Sequence, residues 1–470
     1  MTAIQLTGLA RVLKKNFHRL GILQGTYPWL FILGSILTFI FCFCGFFLFT
    51  IEMDFVTLFS VTGSPSLLNQ KFIESTFPTN NHDNFEIKRF TNVKNTNRLI
   101  ITAIDNSNIL RQDIFNEVVE LDKIIREIEF QVPEGPYSNK TLKYKDICSK
   151  YADGKCYANP VLKLSKSMTL LEENKHTLKY PFEFDVFTGN IVEYASSLGG
   201  AEVDSRDFLI SAKAIALFYF NSPKYENILK YWETKLMDVI SSRKFTNIKV
   251  STISFNIMGN EMLKTALYAI PYFVYCSVFM GFFAFITCSY GDCVVTKSWV
   301  GVIGLIVATM SGLAGFGFCQ YFGIPCAPPS IAILYVILGI GMDDVYVMLE
   351  AWKRSDPERT VAQRMGETME HAGISITISS LTNCICFLIG AAAPLKFSYY
   401  FCMYAAACVF FDYVLTVSVV GAVIVLLARG EARPLHAVLF IPFDTAAKLC
   451  KSPVFFYTTF ITGIYDVTTI

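Results

Sequence analysis

Two adjacent carboxylates lie inside an otherwise apolar stretch of this chain. Asp343 and Asp344 end the segment "GIGMDD" within "PSIAILYVILGIGMDDVYVMLEAW", which is long enough to cross a bilayer as a helix. An ionised carboxylate at that depth costs at least ~3 kcal/mol, so it persists where it faces a protein or water-filled interior. We interpret the pair as an ion-coupling site that takes up a proton or another cation. The alternative is that both residues cap a helix end in the headgroup layer.

The residues near this pair indicate how it would be positioned. Gly339 lies one helical turn before Asp343 and is expected on the same face, with Asp343 directed into the bundle. Gly339 and Gly341 would let a neighbouring helix pack closely. The next apolar stretch is rich in hydrogen-bonding side chains, namely Ser375, Thr377, Ser379, Ser380, Thr382 and Asn383. Among these we select Ser379, Thr382 and Asn383 as relay partners.

Asp412, in "VFFDYVL", is a third carboxylate within an apolar stretch. One interpretation is that it joins the same relay. The other is that it reaches a local partner, such as a buried tyrosine or serine hydroxyl. The sequence leaves both readings open.

The composition places these residues in a membrane protein. Of the 470 residues, 53% are hydrophobic and 17% are charged, and the net charge of +1 is spread without a basic stripe. Nucleic acid is therefore not expected as a partner. Runs of roughly 20 apolar residues predict six spanning helices. They lie near 28–50, 267–289, 299–320, 328–349, 373–394 and 399–428.

Loop charges predict the orientation of the bundle. Arg11, Lys14, Lys15 and Arg19 precede the first span without an acidic residue, and the loop after span four carries a second basic group. The positive-inside rule places both in the cytoplasm. We expect a multi-pass protein of the plasma membrane or an endomembrane, with a cytoplasmic N-terminus. The predicted domains are 1–27 cytoplasmic, 28–50 span one, 51–266 exterior, 267–428 spans two to six, and 429–470 a cytoplasmic tail along the membrane surface.

The exterior segment carries its own signatures. Of 14 cysteines, Cys148 and Cys156 alone fall within 51–266, which predicts one disulfide in an oxidising compartment. Asn139, in "SNKT", is a candidate glycosylation site. The stretches 98–105, 212–220 and 247–255 predict strands, and the segments after the first two predict helices. We expect an α+β domain of ferredoxin-like type.

Several segments resemble one family in the same order along the chain. They include "CSKYADGKCYANPVL", "LKYPFEFDVFTGNIVEYASSLGG", "GIGMDDVYVMLEAW" and "ISITISSLTN". These segments are similar to the Patched-related branch of the resistance-nodulation-division superfamily. The resemblance implies a first helix, a ferredoxin-like exterior domain and a five-helix sterol-sensing domain of spans two to six. It also implies sterol or lipid substrates, with Asp343 and Asp344 coupling proton or sodium flow to their movement.

The resemblance covers the N-terminal half of such proteins, which usually have two halves. We therefore expect either a missing second half or self-association of half-transporters. The main hypothesis is a lipid- or sterol-binding transporter rather than an enzyme, and the alternative is a non-transporting sterol-sensing receptor or regulatory protein. The five histidines are scattered, and no phosphate-binding loop or catalytic triad is visible. The sequence therefore predicts no metal site, no cofactor and no catalytic residue.

Overall fold

The computed structural model describes residues 2–77, 84–91, 93–138, 140–172, 178–185, 190–288 and 297–431. Its helices are α1 Thr2–Thr26, α2 Pro28–Phe43, α3 Phe55–Phe59, α4 Pro65–Thr76, α5 Gln112–Glu127, α6 Tyr144–Ile147, α7 Met168–Glu172, α8 Glu226–Ser242, α9 Phe255–Thr287, α10 Ser298–Tyr321, α11 Ile333–Arg354, α12 Val361–Gly390, α13 Lys396–Leu415 and α14 Gly421–Glu431. Its strands are β1 Thr96–Ala103, β2 Phe130–Gln131, β3 Thr141–Leu142, β4 Phe182–Asp185, β5 Asn190–Glu193, β6 Leu198–Gly199, β7 Glu202–Val203, β8 Leu209–Ser211, β9 Ala214–Phe220 and β10 Ile248–Ile253. The predicted glycosylation site Asn139 and the tail after residue 431 lie outside the described residues.

The chain divides into two compact units. One comprises Met1–Met53 with Met262–Ile470, and the other comprises Asp54–Glu261. The first unit is helical throughout its described part, whereas the second contains the strands. Each unit has a buried apolar core of its own.

The helical unit confirms the six predicted spans. Helices long and apolar enough to cross a membrane run over Pro28–Leu48, Phe255–Thr287, Ser298–Tyr321, Pro328–Arg354, Val361–Gly390 and Lys396–Gly430. The second starts at Phe255, about three turns before the predicted start near residue 267. Hydropathy detects the apolar part of a helix, but backbone hydrogen bonding continues through polar residues such as Asn256, Glu261 and Lys264. The structure therefore shows a multi-pass membrane protein.

Local sequence signals explain the borders of the helices that hold the central carboxylates. Pro328 starts a 3-10 turn that leads into α11. Thr360 caps α12, because its hydroxyl accepts from the backbone N–H of Gln363 while the Gln363 side chain accepts from the N–H of Thr360. A five-residue π-helix, Thr416–Val420, joins α13 to α14 within the last span.

The second unit confirms the ferredoxin-like prediction. Its four-stranded sheet has the order β10-β1-β9-β6 with antiparallel neighbours throughout. With α5 after β1 and α8 after β9, the chain reads strand, helix, strand, strand, helix, strand, in the spatial order of a ferredoxin-like fold. Leu99 and Ile101 of β1 pack in one core with Ile114 and Phe115 of α5 and with Trp232 of α8. The short strands β2–β5 and the disulfide belong to the long insertion between α5 and β9.

Candidate functional site

The two adjacent carboxylates of α11 lie on different faces of the helix. Asp344 is 4% exposed, whereas Asp343 is exposed. Consecutive helical residues point about 100° apart, so the pair cannot share one face. Asp344 lies on the buried face that Gly341, Val345 and Met348 define. The expectation that Asp343 faces the bundle is therefore wrong for this structure, and its neighbour occupies that position.

The hydroxyls of α12 contact Asp344. Ser380 Oγ donates to Asp344 Oδ2 over 3.3 Å, and Ser379 Oγ lies 3.4 Å from Oδ1. Ser379 also has a closer acceptor, the carbonyl oxygen of Ile376 at 3.0 Å. Because a serine hydroxyl carries one proton, Ser379 cannot donate to both oxygens at once. Of the two serines, Ser380 is therefore the one whose hydroxyl proton is available to this carboxylate.

The other two relay candidates do not reach the carboxylates. Thr382 is exposed, and its hydroxyl donates to the carbonyl oxygen of Ile378 at 2.7 Å. Asn383 is half-buried and makes no side-chain hydrogen bond to a carboxylate in the described residues. Both lie two to four residues further along α12 than Ser379 and Ser380, and neither forms a hydrogen bond to Asp344 among the described residues.

Among the described residues of the helical unit, Asp412 is the most deeply buried carboxylate. It is 1% exposed, and Ser311 Oγ of α10 lies 2.9 Å from its Oδ1. Its Oδ2 has no hydrogen-bond partner within the described ranges. A serine hydroxyl was one of the partners that the sequence left open, but nothing singled out Ser311. The available signal was a polar residue beside Gly312 in an apolar span.

Gly341 brings α11 into contact with Asp412. A Cβ atom at residue 341 would lie 2.7 Å from Asp412 Oδ1 and 2.8 Å from the Cβ of Ala308. No side chain larger than hydrogen fits there without movement. A Cβ at Gly339 would meet no atom within 4 Å. Close helix packing is therefore found at Gly341, while Gly339 shares the exposed face of Asp343.

These contacts join four helices around two buried carboxylates, which we call the carboxylate centre. It comprises Asp344 of α11, Asp412 of α13, Ser311 of α10, Ser379 and Ser380 of α12, and Gly341. No Lys, Arg or His of the described ranges lies within ion-pair distance of Asp344 or Asp412. The centre can therefore hold a proton or a small cation, because hydroxyl and carboxylate oxygens are its polar groups.

The second unit, called the exterior unit after the location that the sequence predicts for it, contains the predicted disulfide between Cys148 and Cys156, whose Cα atoms are 5.8 Å apart. Among the residues that the structure describes, no group of three or more His, Cys, Asp or Glu side chains could hold a metal ion.

Comparison with known proteins places the carboxylate centre in a recognised domain. Residues 293–442 match a family described as the sterol-sensing domain of SREBP cleavage-activation, and this range contains every residue of the centre. The chain is 27% identical over 466 residues to a Niemann-Pick type C1-related protein of Toxoplasma gondii, covering 93% of this chain and 38% of that protein.

Two further relatives carry Patched names. A Patched-related protein 9 of Caenorhabditis elegans is 23% identical over 73% of this chain and 40% of its own length. The human protein patched homolog 2 is 27% identical over 36% of this chain and 14% of its own length. The chain thus spans about two fifths of the first two relatives. It is a multi-pass membrane protein whose residues 293–442 match a sterol-sensing domain and whose sequence is similar to Niemann-Pick type C1-related and Patched-related proteins.

Proposed function

We propose that this protein binds a sterol or another membrane lipid and couples its movement to an ion through the carboxylate centre. The observation that carries the proposal is the burial of Asp344 and Asp412 with serine hydroxyls as their side-chain hydrogen-bond partners. The sterol-sensing match and the names of the relatives support the lipid class. We propose binding and movement, not catalysis.

Within the described residues, Asp344 and Asp412 have no cationic partner. An ionised carboxylate in an apolar interior costs several kcal/mol unless it is paired or neutralised, ~3 kcal/mol being the lower bound on insertion scales. Asp412 has one hydroxyl contact and an unpartnered Oδ2 in the described part of the chain. A bound proton or cation removes this cost. The centre is therefore expected to exchange a positive charge when its surroundings change.

The hydrogen bonds available to Ser311 favour a protonated Asp412. Ser311 Oγ lies 2.7 Å from the carbonyl oxygen of Ala308 and 2.9 Å from Asp412 Oδ1. An ionised Asp412 and the carbonyl compete for the single hydroxyl proton. A protonated Asp412 donates to Ser311 Oγ while Ser311 donates to Ala308, so both short contacts become hydrogen bonds. Ser379 has the same choice between Ile376 and Asp344.

Through the contact between Asp412 and Gly341, the protonation of Asp412 can affect the packing of α11 against α13. Asp412 packs directly on the backbone of α11, and Ser311 links it to α10. Loss of the proton creates a charge that attracts water and repels the carboxylate of Asp344. Both effects favour separation of α11 from α13, so a change of protonation can bias the packing of the bundle. This provides the coupling between ion and lipid.

Asp343 has a different role in this proposal. It lies on the exposed face of α11 together with Gly339, Val347 and Glu350. We propose that further membrane segments cover this face, either a second half or a second copy of the chain, because an exposed carboxylate in a span is costly. In keeping with the basic loops, we propose a cytoplasmic N-terminus and a location in the plasma membrane or an endomembrane.

A sensing function is the second candidate. The family matched over 293–442 is described by sterol sensing, not by transport. In that case the bundle binds sterol and alters trafficking or signalling without net flux. Sodium is the second candidate ion, since carboxylate, hydroxyl and carbonyl oxygens are hard ligands.

Reconstituted vesicles distinguish these functions. The full chain is placed in vesicles that contain a fluorescent sterol, and its redistribution is followed under an imposed pH gradient, an imposed sodium gradient or neither. Acceleration by the pH gradient supports proton coupling, and acceleration by the sodium gradient assigns the other ion. Saturable sterol binding with no redistribution under any gradient contradicts transport and favours the receptor.

A further inference from the structure

Helix α1 presents an exposed basic face. Arg11, Lys15 and Arg19 follow one another at four-residue spacing and form one exposed row, with Lys14 exposed beside it. The helix contains no acidic residue. Within the described ranges, none of these four side chains forms an ion pair. We call these four residues the basic row.

Several other cations of the helical unit have fixed partners, and for some of them the partner is an acidic side chain. Arg354 Nε lies 3.2 Å from Glu350, and Arg359 Nε lies 3.4 Å from Asp356. The basic row therefore differs from these ion-paired cations. Since unpaired cations attract anions over a Debye length of about 8 Å at physiological salt, this face is expected to recruit a negatively charged partner.

The opposite face of α1 is fixed to the bundle. Phe17 packs against Gly373, and Gly25 lies against Ala362, so α1 runs along the first part of α12. Gln24 is buried, and its Nε2 donates to the carbonyl oxygens of Val417 and Ser418 at 3.0 and 2.7 Å. These carbonyls belong to the π-helix, where the ordinary helical pattern is interrupted. These contacts fix the rotation of α1 about its axis, so the basic row faces away from the bundle.

The position of α1 along α12 indicates the level of the basic row. Phe17 reaches Gly373, where the apolar part of α12 begins, and α1 ends at Thr26, two residues before the first span starts at Pro28. Because Gly25 lies against Ala362, α1 runs antiparallel to α12, so the row crosses this border, with Arg19 on its polar side and Lys15, Lys14 and Arg11 on its apolar side. Val12 and Leu23, exposed beside the row, suit the apolar side of such a border.

We propose that the basic row binds the headgroups of acidic phospholipids at this border. Three cations at four-residue spacing extend over roughly 12 Å along the helix, enough to contact more than one headgroup. The two arginines can donate in pairs to phosphate or carboxylate oxygens, and the lysines add charge. Acidic lipid would thereby hold α1, and through Gln24 the π-helix, in place. The proposal does not depend on the transport function.

Native mass spectrometry of the full chain in detergent tests this site. Phosphatidylserine and phosphatidylcholine with the same acyl chains are offered in equal amounts, and the ratio of bound lipids is measured. We expect the parent to prefer phosphatidylserine. The quadruple variant replaces all four basic residues by glutamine: Arg11→Gln, Lys14→Gln, Lys15→Gln and Arg19→Gln. In this variant the ratio of bound phosphatidylserine to bound phosphatidylcholine should fall at least about fivefold, because each basic residue near a membrane surface contributes appreciably to acidic-lipid binding.

Two controls make the result specific. The variant with Lys353→Gln and Arg354→Gln removes the same kind of charge from paired positions and should keep the preference. In the parent, salt at about 1 M should weaken the preference, which tests the electrostatics without any substitution. The proposal is overturned if the parent shows no preference for phosphatidylserine or if the quadruple variant keeps that preference. It is also overturned if inorganic phosphate, at the same concentration as the lipid, displaces the lipid.

Discussion

Asp412 and Gly341 meet where α13 crosses α11. The missing Cβ of Gly341 leaves the space that the Asp412 carboxyl occupies, because a Cβ there would come within 2.7 Å of Oδ1 and 3.1 Å of Oδ2. Three residues further along α11, on the same buried face, lies Asp344. The glycine thus allows two carboxyl groups to be buried in one layer of the bundle.

Gly341→Ala should destabilise the protein and abolish ion-coupled lipid movement. The added methyl must displace Asp412 or α11, and overpacking of this kind costs about 1–3 kcal/mol. Gly339→Ala is the matched control, since its methyl enters open space and alanine favours the helix by about 1 kcal/mol. Thermal unfolding in detergent compares the two. Equal melting temperatures for both variants would mean that the contact at Gly341 is unimportant.

Ser311→Ala should weaken the carboxylate centre. It removes the hydroxyl beside Asp412 and leaves that carboxyl without a side-chain partner in the described residues, at a cost of about 1–3 kcal/mol. Ser330→Ala is the control, because Ser330 is equally buried but its hydroxyl has no hydrogen-bond partner in the described part of the chain. We expect lower thermal stability and slower sterol redistribution for Ser311→Ala alone. Identical behaviour of the two variants would contradict the role given to Ser311.

The π-helix contact of Gln24 should be needed to hold α1. Gln24→Leu keeps the size of the side chain but removes both donors to the carbonyl oxygens of Val417 and Ser418. Hydrogen exchange at the backbone of α1 should then become faster, because the helix loses one of its attachments. Asn16→Leu, at an exposed position of the same helix, serves as the control. Unchanged exchange in the Gln24 variant would show that the glycine contacts suffice.

Buried Glu233 of the exterior unit should make stability depend on pH. It is 1% exposed and accepts from Asn97 Nδ2 at 2.7 Å and Ser254 Oγ at 2.6 Å. Burial raises the pKa of Glu233 above its usual range, although these hydrogen bonds oppose the shift. The folded state therefore holds the proton more tightly than the unfolded state. The stabilisation is complete below the usual glutamate pKa and is lost as pH rises through the raised one.

Glu233→Gln tests this pH dependence, since the amide oxygen can accept the same two hydrogen bonds without a charge. The variant should unfold at a higher temperature than the parent at about pH 7, and the difference should shrink towards about pH 4. Glu233→Ala should be less stable at both pH values, because Asn97 loses its acceptor. A difference between parent and Gln variant that does not change with pH would exclude the titration of Glu233.

The bond between Cys148 and Cys156 should contribute to the stability of the exterior unit. Replacing both cysteines by serine frees the loop between them in the unfolded chain, and a loop of this size predicts a loss of about 2–3 kcal/mol. Cys276→Ser, at an exposed free cysteine, is the control. Thermal unfolding should shift for the double variant only, and a shift of equal size in the control would contradict this assignment.

The sequence predicts elements better than it predicts the faces of helices. Six apolar runs determine the spans, and the order of strands and helices in the exterior unit follows from the local periodicities around 98–105 and 212–220. These signals are local, because a helix or strand forms from neighbouring residues. The start of α9 was less predictable, since hydropathy does not detect its polar first turns.

The arrangement of the site depends on which face of α11 is buried and on contacts between residues far apart in the chain, and the sequence shows neither. Asp343 and Asp344 are equally acidic and adjacent, so only packing around α11 determines that Asp344 is buried. Ser311 lies 101 residues before Asp412 in the chain, and a single hydroxyl in an apolar span gives no sign of its distant partner. Thr382 and Asn383 look as suitable as Ser379 in the sequence, yet neither forms a hydrogen bond to Asp344 in the described part of the chain.

The central claim is that Asp344 and Asp412 carry the ion that moves the lipid. The most direct measurement is sterol redistribution in vesicles under an imposed pH gradient, comparing the parent with Asp344→Asn plus Asp412→Asn and with Asp343→Asn. We predict that the double variant retains sterol binding but loses the acceleration by the gradient, while Asp343→Asn keeps most of it. A double variant that responds to the gradient as the parent does would contradict the account.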